Sequence, residues 1–265
     1  ARRIGQQYDA DAKQGVAMAE HLAWLLAAEL RAVGVDFSFA PCVDLDFGVS
    51  EVIGDRAYHA RASVVAELAI AVMRGMRSAG MAATAKHFPG HGAVVADSHA
   101  ALPVDRRELA DLEPDLLPYR RLIANGLSAV MMAHVLYPNI DAHPASFSRH
   151  FVTDVLRGEL DFRGVIFTDD LTMEGASMMG DIVARAEAAL EAGCDVLPVC
   201  NRRDNVITLL DRLSIKPGPA SQMRVLLMRG REAQSREQLL ASAEWSAAQQ
   251  WLSRCAQAPE LKLQG

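Results

Sequence analysis

Absences narrow the field before any motif is read. The chain has only four cysteines, Cys42, Cys194, Cys200 and Cys255, and no two of them have CxxC spacing. Three of them lie in or beside expected buried strands, so free thiols in a reducing cytoplasm are the simplest reading. No run approaches the ~20 apolar residues of a membrane span. No cluster of Lys or Arg accompanies the formal charge of −6, which argues against nucleic acid as the main partner. There is no internal repeat and no low-complexity run. The start, Ala1-Arg2-Arg3-Ile4-Gly5, has neither an initiator Met nor an apolar signal segment, so chain preceding Ala1 is expected.

What remains is an ordinary globular composition. Hydrophobic residues make up 51% and charged residues 23% of 265 positions, enough to bury a full core. Residues 15–33 are rich in Ala, Leu, Glu and Met and are closed by Gly34, which predicts a helix. A second helix is expected over 61–79, ended by Gly80. A third stretch after Asp105 carries Pro114 and Pro118 and is expected to break in two. Further helices are expected near 149–160 and 181–192. Ser235-Arg236-Glu237-Gln238 has the form of a capping box opening a helix to about 256, with Trp245 and Trp251 packing it onto the body.

Between these helices lie five apolar stretches that predict strands: 35–42, 81–88, 128–134, 164–170 and 194–200. Apolar strands alternating with helices indicate a parallel sheet covered on both faces. Each strand ends at a polar residue: Asp44, His87, His134, Asp169 and Asn201. That pattern predicts a (β/α)8 TIM-type barrel, though a doubly wound sheet shares it in part. A closed barrel needs three more strands, and the tail after 213 reads as helical. The three are therefore expected before Ala1, roughly 80 residues at about 30 per βα unit. The division expected is a barrel portion over 1–213 and a C-terminal helical extension over 214–265.

The stretch Lys86-His87-Phe88-Pro89-Gly90-His91-Gly92, followed by Asp97-Ser98-His99, holds most of the chemistry. It follows a strand and breaks into a polar loop, as the active face of a parallel α/β protein does. A carboxylate such as Asp97 bonded to one ring nitrogen of His99 would make the other nitrogen a general acid/base; a solvated loop is the bland alternative. His87, His91, Asp97 and His99 are also of metal-ligand type. Against that, Pro89 and Gly90 interrupt the spacing and Lys86 sets a cation beside the ion. Asp169-Asp170 ends the fourth strand, and only one of two neighbours can face a barrel mouth. An inward Asp169 would suit a nucleophile, while both carboxylates merely capping the next turn is equally open. Arg56, on the same face, can fork onto substrate hydroxyls or a carbonyl or pair with Asp55 or Asp44. His134 reads as a core histidine rather than a site group.

Taken in order, Lys86 to Gly92, Asp97-Ser98-His99, Ala133-His134 and Val165-Ile166-Phe167-Thr168-Asp169-Asp170-Leu171-Thr172-Met173-Glu174-Gly175 resemble one family. It is the bacterial β-N-acetylglucosaminidases of glycoside hydrolase family 3, the peptidoglycan-recycling branch. Phe37-Ser38-Phe39-Ala40-Pro41, Gly54-Asp55-Arg56-Ala57-Tyr58-His59 and Ala192-Gly193-Cys194-Asp195 extend the likeness over about residues 10–213. The resemblance implies a barrel that removes terminal β-linked N-acetylglucosamine with retention of configuration. Asp169 would be the nucleophile, His99 the acid/base on a mobile loop with glycines for its motion, and Asp97 its dyad partner. Arg56, Lys86 and His87 would hold the sugar. No metal and no cofactor are implied. An earlier strand of that family supplies a further Asp and Arg to the sugar, and neither occurs here. A 1–265 polypeptide alone is therefore expected to be inactive or poorly folded.

The function expected is hydrolysis of cell-wall fragments in the cytoplasm during peptidoglycan recycling. The partner expected is a muropeptide or amino sugar, taken by a monomer with no nucleic acid and no membrane. Three alternatives stand beside it. One is a metal-dependent hydrolase using His87, His91, Asp97 and His99, one is a sugar-binding barrel without turnover, and one is a phosphorylase-like use of the same intermediate.

Overall fold

The computed structural model of the chain describes residues 1–98 and 101–257. In chain order the elements are α1 (Arg2–Ala10), α2 (Ala12–Ala32), β1 (Phe37–Ser38), α3 (Ala62–Ser78), β2 (Ala82–Phe88), α4 (Glu113–Ala124), β3 (Ala129–Met132), a wide-wound helix His150–Glu159, β4 (Val165–Phe167) and α5 (Ile182–Ala192). Four helices follow: α6 (Arg203–Arg212), α7 (Pro219–Leu226), α8 (Arg236–Leu240) and α9 (Ala243–Ala256).

All strand pairings are parallel and the order is β1-β2-β3-β4. A fifth segment joins through a parallel bridge from Val196 to Phe167. Each strand therefore lies beside the next one in sequence. That is the winding of a barrel, because a doubly wound sheet reverses its order at a switch point. The sheet is also rolled. Phe37 and Phe39, at the first strand, reach Phe167 on the fourth, with ring centroids 5.5 and 5.3 Å away. The described strands form an arc of such a barrel rather than a closed ring.

The period-two alternation of a strand sorts its side chains between two cores. Ala129, Met131, Val165 and Phe167 face the inside of the roll together with Ala82, Phe37, Val196 and Met228. Ala83, Ala85, Val130, Met132 and Ile166 face outward into the larger core under the helices, against Val65, Leu68, Leu122 and Ala186. Each Val, Leu, Ile, Met or Phe among them contributes about 1.5–3 kcal/mol through burial. Carried two residues beyond Phe167, the inward parity falls on Asp169.

Four elements differ from expectation, one being the fifth strand expected over 194–200, which forms no regular strand and joins β4 through the Val196 bridge. The first strand is regular only over Phe37–Ser38, because Pro41 has no N–H to give the ladder. The chain nonetheless runs on beside β2, with Thr84 N–H donating to Ala40 O at 2.8 Å and Val43 N–H to Lys86 O at 2.8 Å. The helix α4 is not broken at its prolines. Pro114 lies in the first turn, where no N–H is required, and Pro118 removes a single rung. The C-terminal helix, by contrast, is two helices. The capping box at Ser235 opens α8, and Ser242 caps α9 anew by accepting from Trp245 N–H at 3.1 Å. Both tryptophans dock on α2: Trp251 stacks on His21 at 5.1 Å, and Trp245 Nε1–H donates to Glu29 at 2.8 Å. No helix among the described residues is long and apolar enough to cross a membrane.

Candidate active site at the ends of the strands

The strands deliver their terminal side chains to one place. The segment after β1 carries Cys42 and Asp44, the end of β2 carries Lys86 and His87, β3 leads to His134 and β4 leads to Asp169. β2 and β3 slip register between Lys86 and Phe88, and the extra residue at that bulge is His87.

Asp44 is the most enclosed of these groups, with no side-chain exposure. Its carboxylate accepts from His87 Nδ1–H at 2.7 Å, from the His91 backbone N–H at 2.7 Å and from the His87 backbone N–H at 3.2 Å. The Cys42 thiol donates to the same carboxylate at 3.2 Å. Burial alone pushes the Asp44 carboxyl up, but His87 and these donors outweigh it and bring it down to about 2.

On the other side of the His87 ring, Nε2 lies 3.9 Å from Asp169 Oδ2. Asp169 keeps 17% of its side chain open, so it is enclosed yet reachable. Burial raises its carboxyl, whereas His87, His134, the Asp170 N–H and Lys86 lower it, and the balance is below the ordinary value. Asp169 is therefore an ionised carboxylate at neutral pH, facing inward, with the Lys86 ammonium near it. Its neighbour Asp170 is spent on the turn: it accepts from Thr172 N–H at 2.9 Å, Thr172 Oγ1–H at 2.8 Å and Cys200 N–H at 3.0 Å. The turn-capping alternative thus describes Asp170.

His134 is buried and donates from Nε2 to the Asp170 carbonyl at 3.1 Å. It stacks flat on Phe147, and burial holds its imidazole below the ordinary histidine value. Its ring lies near enough to Asp169 to lower that carboxyl, so it is a core histidine that also borders the site.

The loop after β2 begins rigidly. Gly90 and Gly92 are buried, and a Cβ at Gly92 would stand 1.9 Å from Leu45 O while one at Gly90 would stand 2.5 Å from Asp115 Oδ1. Both glycines therefore allow close approach of the chain at these two points. His91 Nε2 shares a hydrogen bond with Ser98 Oγ at 3.1 Å, and Gly175 N–H donates to Ser98 O at 2.9 Å. Asp97 is half-buried, and its carbonyl accepts from Ala101 N–H at 2.9 Å. His99 lies outside the described residues.

The structure thus brings Lys86, His87 and Asp169 together. Lys86 Nζ sits 5.9 Å from the Phe39 ring and near enough to Asp169 to lower its carboxyl. Arg56 stands apart: it is exposed and donates through Nε to Val52 O at 2.9 Å. Asp55 pairs with Arg2 at 2.8 Å rather than with Arg56. From sequence, Asp44 stands out as a strand-end polar residue and as a candidate partner of Arg56, not as the acceptor for His87. The signal available was its parity with Cys42, two residues before it on an extended segment.

Among the described residues, Cys42, Asp44 and His87 are the set whose donor atoms lie close enough, within 4.8 Å of one another, to share an ion. It differs from the His87, His91, Asp97 and His99 set weighed as the metal alternative, of which His91 turns its ring to Ser98. Burial and the adjacent Asp44 push the Cys42 thiol well up, which keeps its proton on sulfur. The three groups are satisfied by hydrogen bonds to one another.

Residues 3–226 match the family model described as glycosyl hydrolase family 3 N terminal domain. A β-hexosaminidase of Thioalkalivibrio sulfidiphilus is 51% identical over 263 residues, covering 99% of this chain and 76% of its own length. One of Bordetella avium is 54% identical over 227 residues, covering 85% of this chain and 65% of its own. Among solved structures, NagZ from Neisseria gonorrhoeae in complex with N-trifluoroacetyl-D-glucosamine superimposes with a TM-score of 0.89 at 40% identity, over 97% of this chain and 75% of that one.

Proposed function

The chain belongs to glycosyl hydrolase family 3, among its β-hexosaminidases, and on that premise we propose that it is a retaining exo-glycosidase. It removes terminal β-linked N-acetylglucosamine from peptidoglycan fragments, in the cytoplasm and as a monomer, for cell-wall recycling. The observation that carries this reading is Asp169, an ionised, inward-facing and partly open carboxylate 3.9 Å from His87 Nε2. The amino-sugar derivative held by the Neisseria protein fits the substrate class.

In the first step Asp169 attacks the anomeric carbon, forming an ester bond as the bond to the leaving oxygen breaks. His99 gives that oxygen its proton. In the second step water attacks the same carbon from the face the leaving group occupied, His99 takes a proton from the water, and the ester breaks to free the Asp169 carboxylate. Two inversions give retention, with a histidine in place of the usual second carboxylate. Asp97 orients His99, and Lys86, His87 and Arg56 hold sugar hydroxyls. The opening of Arg56 to solvent suits a side chain that turns inward when sugar arrives.

The test uses the full-length protein and a chromogenic aryl N-acetyl-β-glucosaminide, with and without EDTA and with and without phosphate, beside Asp169→Ala. Turnover indifferent to EDTA and phosphate, and lost in the variant, is the expected outcome. Abolition by EDTA would favour metal-assisted hydrolysis, and acceleration by phosphate would favour phosphorolysis. Sugar binding without turnover would mean a binding barrel.

A further inference from the structure

Asp44 is a buried anion with no opening to substrate, yet it bonds to two separate parts of the site. One of its oxygens accepts the His87 Nδ1–H at 2.7 Å and the Cys42 S–H at 3.2 Å. The other accepts the His91 backbone N–H at 2.7 Å. A carboxylate that only accepts forces a proton onto His87 Nδ1, as carboxylate–histidine pairs do elsewhere. The atom left to face Asp169, 3.9 Å away, is then Nε2. Through His91 the same carboxylate anchors the start of the loop, and the His91 ring in turn holds Ser98 at 3.1 Å, between Asp97 and His99 in sequence.

We propose that Asp44 is a positioning residue for the hydrolysis: it fixes a proton on His87 Nδ1, aims Nε2 at the sugar-binding side beside Asp169, and pins the base of the loop that bears Asp97 and His99. The inference rests on the glycosidase reading above, but its structural half does not. It makes Asp44 a group tied both to the His87 side of the site and to the base of the loop, while its own carboxylate is closed to substrate.

Asp44→Asn separates charge and tautomer from shape. The amide oxygen can keep accepting the backbone N–H groups of His87 and His91. The amide NH2, however, now donates toward His87 Nδ1, which must become an acceptor, so the ring proton moves to Nε2. The experiment labels histidine ring nitrogens with 15N in the full-length protein. It reads the His87 tautomer by NMR, wild type against Asp44→Asn, alongside kcat, KM and Tm. The expected result is a protonated Nδ1 in the wild type and a protonated Nε2 in the variant. Tm should fall by about 4–8 °C as the ionised carboxylate is lost, while kcat/KM per folded molecule should fall roughly 10- to 100-fold. A wild-type His87 without a proton on Nδ1 overturns the proposal whether or not the variant folds. So does a folded variant within about threefold of wild-type kcat/KM. A wild type that orders His87 as expected but does not turn over the sugar sinks the glycosidase reading, and with it the role in hydrolysis, while leaving the Asp44–His87 pairing in place.

Discussion

The two ends of the strands treat buried charge in opposite ways. At the N-terminal end Asp195, 1% exposed, is saturated: it accepts from Arg157 at 2.8 Å, from Arg224 Nε at 3.1 Å and from Ile166 N–H at 2.9 Å. Arg157 also donates to Gly164 O at 2.6 Å and lies over the Phe162 ring. Nothing there is left to react, and the network ties α7 to β4. At the C-terminal end, apart from Asp44, the buried groups are incompletely matched. Asp169 has histidines near it and one bond from its own neighbour's N–H, while His91 Nδ1, His134 Nδ1 and Thr168 Oγ1 have no hydrogen-bond partner among the described residues. Saturation makes a charge structural, and partial saturation leaves it poised for chemistry. This is the division expected between the stability face and the active face of a barrel.

The strongest test of that contrast is a pair of substitutions that exchange consequences. Asp169→Ala should cost hydrolysis on the order of 10⁴-fold or more in kcat/KM while Tm stays within a few degrees. Asp195→Ala should do the reverse. It leaves two arginines without their counter-charge, a loss of about 3–5 kcal/mol in unfolding free energy, with kcat per folded molecule unchanged. Chromogenic turnover and thermal unfolding, measured on both variants, check this. An Asp195→Ala enzyme that folds normally but turns over slowly would break the comparison.

Much of this division was legible beforehand. The sequential parallel winding follows from apolar stretches alternating with helices, and counting twos puts Val165, Phe167 and Asp169 on one face, while the fold shows that this face is the inward one. What sequence could not supply was which polar groups saturate each other. Asp44 and His87 are 43 residues apart, and nothing local distinguishes Asp44 from Asp46, whose carboxylate pairs with Arg2 near the surface. Similarly, the close approach at Gly90 and Gly92 was not legible, because a glycine's neighbours across the fold, here Asp115 and Leu45, are invisible until the chain closes on itself.

Two carboxylates at the active end sharpen the comparison through pH. Asp44, held down to about 2 against 3.8 unfolded, contributes about 2 kcal/mol of stability, present above pH 4 and lost as pH falls through 2. Asp115 runs the other way. Burial pushes it up to about 6 despite its 2.8 Å contact with Arg107, and its Oδ1 has no partner among the described residues. A raised carboxyl contributes stability that is full below pH 4 and lost as pH rises through 6. Unfolding free energy against pH should therefore lose its step between pH 2 and 4 in Asp44→Asn, and its opposite slope between pH 4 and 6 in Asp115→Asn. If the two variants lost the same step, donor count would not be what separates these groups.

The smallest effect concerns the carboxylate beside the nucleophile. Asp170 adjoins Asp169 in sequence yet belongs, by its bonds, with the saturated groups of the far end. Removing one of its donors tests that assignment at close quarters. Thr172→Val keeps the shape of a half-buried side chain and deletes the hydroxyl that donates to Asp170 at 2.8 Å. Asp170 retains the Thr172 and Cys200 backbone N–H groups, so the cost should be about 1 kcal/mol, near the worth of one hydrogen bond. That corresponds to a fall of about 2–4 °C in Tm for a chain of this size. Because Asp170 points away from the inward row, kcat should stay within about twofold of wild type. A large loss of kcat at unchanged Tm would show that the turn under Asp169 aims the nucleophile, and would move Asp170 from the saturated class to the reactive one.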